Sequence, residues 1–141
     1  MIVVRMRRLV ATAAMLLVVA ACGGSSSGGG QSLSGAPTTK TLDEQANGST
    51  VVVHLGDTVV VVLHSTYWAF TTPATTLQEL GDPQASPSHC PVPGSGCGMV
   101  TAQYNASHVG QTTLHAHRDS CGEARRCTGS DGDWTVTVRV S

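Results

Sequence analysis

Aromatic residues are scarce, at 4% of the 141 residues: Tyr67, Trp68, Phe70, Tyr104 and Trp134. Lysine occurs once, as Lys40, and charged residues of both signs together reach only 12%. With no basic stripe and few rings for bases to stack on, nucleic acid is excluded as a partner. No apolar run is long enough to span a membrane: the longest, Leu9 to Ala21, holds about thirteen residues where about twenty are needed. No stretch shows the 3.6-residue apolar period of an amphipathic helix of useful length. Outside the glycine-serine run after Cys22, no serine lies in a G-x-S-x-G turn, and no hydrolase constellation stands out, so no enzymatic activity is expected.

What is present begins with a leader. Arg5, Arg7 and Arg8 form a positive n-region, and Leu9 to Ala21 suit a signal h-region closed by the small residues Ala20 and Ala21. The next residue is Cys22, and Val-Ala-Ala-Cys resembles the bacterial lipobox. That resemblance implies cleavage before Cys22 and diacylglycerol on its sulfur, with residues 1–21 as the signal peptide. Stable anchoring takes at least two acyl chains. The glycine- and serine-rich segment that follows, within 22–39, has too little apolar surface to fold and is expected to be a tether. Residues 40–141 remain as one domain. The expected product is exported, lipid-anchored to the bacterial cell membrane and faces the extracytoplasmic side as a monomer.

Loss of the three leader arginines takes the eight basic residues to five against nine acidic ones, a net charge of about −4. Lipidation would remove Cys22 from the five cysteines and leave Cys90, Cys97, Cys121 and Cys127, which are expected to oxidise outside the cytoplasm. The simplest pairing is Cys90–Cys97 and Cys121–Cys127, each closing a short loop. Four cysteines allow three pairings, and a crossed pairing stays open if the two loops lie together. The C-x₆-C and C-x₅-C spacings are too long for a zinc knuckle.

The valine-rich "STVVVHLGDTVVVVLHS" suits strands broken by a turn at Leu55-Gly56-Asp57. Val59, Val61 and Leu63 fall on one face and Val60, Val62 and His64 on the other; apolar residues on both faces predict a central strand. "GMVTAQYNAS" alternates, with Val100, Ala102 and Tyr104 on one side. "GQTTLHAHRDS" turns Thr112, Leu114 and Ala116 inward and His115 and His117 outward. "DWTVTVRVS" turns Trp134, Val136, Val138 and Val140 inward. "TTLQELGD" reads as a helical turn or a short strand. The whole predicts an all-β, antiparallel, immunoglobulin-like sandwich of about seven strands, without the Cys-Trp-Cys core spacing of antibody domains.

The ordered features of Val51 to Val140 resemble the chagasin-type inhibitors of papain-like cysteine peptidases. The resemblance rests on the "HLGDTVVVVLHS" strand, the glycine-rich Gly94-Ser95-Gly96-Cys97-Gly98 loop before "MVTAQY", the glycine-led "VGQTTLHAH" and the terminal "WTVTVRV". It implies a sandwich that presents three loops at one end to a peptidase cleft. Carried over, the loops hold Tyr67 and Trp68, then Gly94, Gly96 and Gly98, then Arg118. The first loop, His64-Ser65-Thr66-Tyr67-Trp68, lacks the family's proline and glycine, and Arg118 is followed by Asp119 and Ser120 rather than Pro-Trp. Weak or no inhibition of papain is therefore expected, with binding of another exported protein through the same loops.

Two further readings concern chemistry. His115 and His117 share a strand face and would bind zinc or copper if a neighbour supplied a third ligand; otherwise they are partly solvated surface histidines, and no cofactor is expected. Tyr67-Trp68-Ala69-Phe70 crowds three rings into a short stretch. One ring is expected at a loop surface, where Tyr and Trp are common binding anchors, and Trp68 is the candidate for the core.

Overall fold

The computed structural model describes residues 35–141 except 72, 74, 88, 93 and 123. The expected signal peptide, Cys22 and most of the expected tether lie outside the described residues. Within them the chain forms nine strands and two short 3₁₀ turns. The strands are β1 (Thr39–Leu42), β2 (Thr50–Val53), β3 (Thr58–His64), β4 (Ala69–Thr71), β5 (Leu77–Glu79), β6 (Gln84–Pro87), β7 (Gly98–Ala106), β8 (Gly110–His117) and β9 (Asp133–Val140). They make two sheets. One runs β1-β3-β7-β5, with β6 also on β7; the other runs β2-β9-β8-β4. β5 and β6 divide one edge of β7 between them, β5 against Tyr104 to Ala106 and β6 against Gly98 to Thr101.

The period-2 pattern sets which side chains meet between the sheets. Val59, Val61 and Leu63 of β3 face Leu114 and Ala116 of β8 and Trp134, Val136, Val138 and Val140 of β9 within one buried cluster, which also takes in Val100, Ala102, Tyr104 and Ala106 of β7. β3 lies between β1 and β7, the central position that apolar residues on both faces predict, and Val60 and Val62 on its other face are half-buried. "TTLQELGD" resolves as strand β5, with Leu77 buried. The Tyr104 hydroxyl is buried without a hydrogen-bond partner, and burial, with Glu79 nearby, pushes its pKa up to about 12.

The immunoglobulin-like sandwich agrees with the sequence pattern, with two differences. β1 pairs with β3, and β2 with β9, in parallel; every other pairing is antiparallel. Alternation fixes the buried face of a strand but carries no information on its direction. The strand count also exceeds seven, because β1 and β6 are short, polar strands with no apolar alternation to reveal them.

The chain enters the sandwich at the start of β3. The buried Asp57 carboxylate accepts hydrogen bonds from the Thr38 amide (2.7 Å), the Thr38 hydroxyl (3.0 Å) and the His54 amide (2.8 Å). Donation from the Thr38 and His54 amides holds its pKa down at about 2. The Thr58 amide returns a bond to the Thr38 carbonyl at 2.8 Å, and Thr39 is in register with Thr58.

Candidate functional site at the loop end of the sandwich

Strand register brings three loops to the end opposite Thr38. His64 closes β3 opposite Met99 at the start of β7, His117 closes β8 opposite Asp133 at the start of β9, and Ala69 of β4 pairs with His117. The described residues of the segments 65–68, 89–97 and 118–132 therefore leave the sandwich at the same end.

The first and second loops are stitched by backbone bonds. The Ser65 amide donates to the Gly98 carbonyl (2.8 Å) and the Thr66 amide to the Gly96 carbonyl (2.9 Å). The Tyr67 hydroxyl donates to the Gly94 carbonyl at 2.7 Å. Gly96 is required twice over: its φ is +65°, and a Cβ there would overlap the edge of the Tyr67 ring. Tyr67 keeps 37% of its surface exposed, whereas Trp68 keeps 7% and fills the core beneath the loops. The Trp68 indole N–H donates to the His64 carbonyl at 2.8 Å. Phe70 is half-buried against the core. Alternation along Tyr67-Trp68-Ala69-Phe70 thus sends one large ring inward and leaves another at the surface.

The third loop joins through Arg118. Its guanidinium lies 4.5 Å from the centre of the Trp68 ring, a cation–π contact, and its Nε donates to the Asp131 carbonyl at 2.8 Å. Beyond it, residues 119–121 pair back on 125–127: the Cys121 amide donates to the Arg125 carbonyl (2.8 Å) and the Cys127 amide to the Asp119 carbonyl (2.9 Å). Gly122, at φ +94°, packs against Ser95 of the second loop; a Cβ would sit 3.3 Å from the Ser95 carbonyl oxygen.

The disulfides are Cys90–Cys97 and Cys121–Cys127, with Cα separations of 5.5 and 5.1 Å. The loops do lie together, yet each cystine closes its own loop. Two disulfides in a domain of this size mark an extracytoplasmic protein.

His115 and His117 stack on the outer face of β8, their ring centres 6.5 Å apart. Their neighbours are carboxylates. His117 Nδ1 lies 2.8 Å from Asp133 Oδ1 and Nε2 lies 3.1 Å from Asp119 Oδ1, while His115 Nε2 is 3.6 Å from Asp133 Oδ1. A neutral imidazole donates one hydrogen bond only, so meeting both carboxylates calls for the imidazolium. The hydrogen bonds to Asp133 and Asp119 accordingly raise the His117 pKa, and the bond from His117 lowers that of Asp133. Among the described residues no group of three or more His, Cys, Asp or Glu side chains is placed to hold a metal ion.

Tyr67, Trp68, Gly94, Gly96, Gly98 and Arg118 are therefore neighbours at one end, with His115 and His117 beside them on the outer sheet face. Sequence reasoning missed the stacking of Arg118 on Trp68 and the double carboxylate clamp on His117. Both depend on which residues the third loop folds back upon, and the fifteen residues between β8 and β9 give no periodic signal of that.

The class of fold defined here is the immunoglobulin-like sandwich with three clustered end loops. No family model matches the chain, and no curated protein matches it in sequence. Among solved structures it is similar to the cysteine protease inhibitor EhICP2 from Entamoeba histolytica, at 17% identity over 74% of this chain and 96% of that one, with a TM-score of 0.54. Amebosin, in a solution structure, matches at 17% identity over 75% of this chain and 100% of that one, with a TM-score of 0.49. At this identity the likeness to EhICP2 is one of fold.

Proposed function

We propose that this chain is a lipid-anchored, exported binding protein whose loop end inserts into the cleft of a papain-like cysteine peptidase and blocks it without being cleaved. One observation carries the reading: Tyr67, Gly94, Gly96 and Arg118 tie three loops into a single pre-ordered edge through the Tyr67–Gly94 bond and the stacking of Arg118 on Trp68. Pre-ordering lowers the entropy lost on docking. The fold shared with a cysteine protease inhibitor supports the partner class. The anchor rests on Cys22 in its lipobox-like setting.

The first loop is shorter than the chagasin-type pattern and lacks its proline and glycine, so the matching peptidase differs from papain in the cleft region that this loop meets. Titration of the protein against a panel of papain-like peptidases tests the reading. Competitive inhibition of at least one, weak on papain and reduced tenfold or more by Tyr67→Ala (about 1.4 kcal/mol or more), is expected. Absence of binding across the panel contradicts the peptidase partner. Membrane fractionation of Cys22→Ser tests the anchor separately, with release from the membrane expected.

A further inference from the structure

The end opposite the loops is built differently. Val52 is 61% exposed, Leu55 56% and Val109 69%, and they gather where β9 finishes. Val52 and Val109 flank one shallow groove with Gly110, Arg139 and Ser141. Leu55 adjoins it, its amide donating to the Ser141 carbonyl at 3.1 Å. Valine and leucine on an edge strand and two turns would ordinarily be replaced by polar residues unless something covers them.

Two observations say what covers them. The chain arrives at this same end: Thr38 is clamped by Asp57, and Pro37 lies 4.0 Å from where a Cβ of Gly56, the neighbour of Leu55, would stand. Cys22 is sixteen residues upstream of Thr38. The groove at this end carries one charged side chain, and it is positive, whereas the loop end mixes Glu44, Asp119, Asp131 and Asp133 with Arg118, Arg125 and Arg126. At the entry end Asp57 is buried beneath three donors, and Arg139 lines the groove.

We infer that the Val52–Leu55–Val109 end, with Arg139 beside it, rests on the anionic bilayer surface to which the chain is tethered and turns the three loops away from the membrane. The three apolar side chains enter the headgroup boundary, and Arg139 meets lipid phosphate. The inference rests on the reading of Cys22 as the anchor, since that reading sets which end is held near lipid. A domain oriented in this way offers its loops to soluble partners rather than to the membrane.

The test separates the two. The chain from residue 23 onward, with a histidine tag in place of Cys22, is attached to vesicles of phosphatidylcholine, phosphatidylglycerol and a nickel-chelating lipid, so acylation plays no part. Brominated acyl chains report on a tryptophan placed at either end, by Val109→Trp or Val92→Trp, above the background of the buried Trp68 and Trp134. Several-fold stronger quenching for Val109→Trp is expected, lost when Val52→Asp and Leu55→Asp are added or when phosphatidylglycerol is left out. Equal quenching at the two ends, or stronger quenching at Val92→Trp, overturns the inference. A dimer in sedimentation that Val52→Asp returns to monomer overturns it too, since a second copy would then cover the patch. If Cys22→Ser stays on cell membranes while the quenching pattern holds, the anchor reading fails and the lipid-facing end stands.

Discussion

The two ends of the sandwich are held by opposite means. At the entry end the order comes from regular structure: parallel pairing of β1 with β3 and of β2 with β9, a tight turn at 54–57, and one carboxylate, Asp57, that binds three donors. At the loop end regular pairing stops, and side chains, glycines and two cystines take over. The difference shows where the sequence has been spent. Scarce resources (both tryptophans, four cysteines, three of the four arginines outside the leader) gather at or beneath the end that regular structure leaves open. A fold that needed only to be stable could close these turns with two residues; long, stapled loops cost chain entropy and make sense as a surface that must keep its shape.

Trp68 carries the largest expected effect. Trp68→Ala removes a nearly fully buried ring and the seat of Arg118, and is expected to cost about 3–5 kcal/mol in urea unfolding. The exposed Val109→Ala at the other end should leave stability nearly unchanged. Equal losses at the two positions would erase the distinction between the ends.

Replacing Cys121 and Cys127 by serine comes next. The cystine closes a loop of six-residue separation, and its loss should cost about 2 kcal/mol on the chain-entropy account. The same variant should raise amide exchange in the third loop while leaving β1 and β2 protected. A third substitution, Gly96→Ala, introduces a side chain at positive φ against the Tyr67 ring and is expected to cost about 1–2 kcal/mol. Gly48→Ala, at φ +74° in open space, is the control that separates backbone strain from the clash.

Much of this was legible beforehand, and the illegible part has a physical cause. Val59, Val61, Leu63, Tyr104, Leu114 and Trp134 announced their burial because a strand alternates whatever its neighbours do. That Tyr67 and Trp68 turn to opposite sides follows from the same rule, but which of the two turns inward does not. The local cystine pairings were the simplest choice, yet the loops lie close enough that only coordinates separate them from a crossed arrangement. Parallel pairing of β1 with β3 and of β2 with β9, the seat of Arg118 and the two carboxylates on His117 are nonlocal. Each is fixed by where a distant segment returns, which residue type and spacing do not encode. The candidate site was read as a set of loops; that the loops touch one another came from the structure.

pH should act on the two ends in different ranges and with the smallest effects. His117 has a raised pKa, so its clamp on Asp119 and Asp133 contributes below about pH 6.5 and fades as pH rises through the higher folded value. Asp57 has a lowered pKa, so its clamp on Thr38 contributes above the ordinary carboxylate value of 3.8 and is lost as pH falls toward about 2. Amide exchange followed from pH 3 to pH 9 should show the base of the third loop loosening on the alkaline side and the Thr38 region on the acid side. His117→Gln should abolish the first change alone.

Three loops meet as one surface at the end away from the chain's entry. Hydrogen–deuterium exchange of the protein with and without a bound papain-like peptidase tests it most directly. Simultaneous protection of residues 65–68, 94–98 and 118–127 is expected, with residues 52–57 and 107–111 unchanged. Protection confined to a single loop, or centred on Val52, Leu55 and Val109, would contradict it.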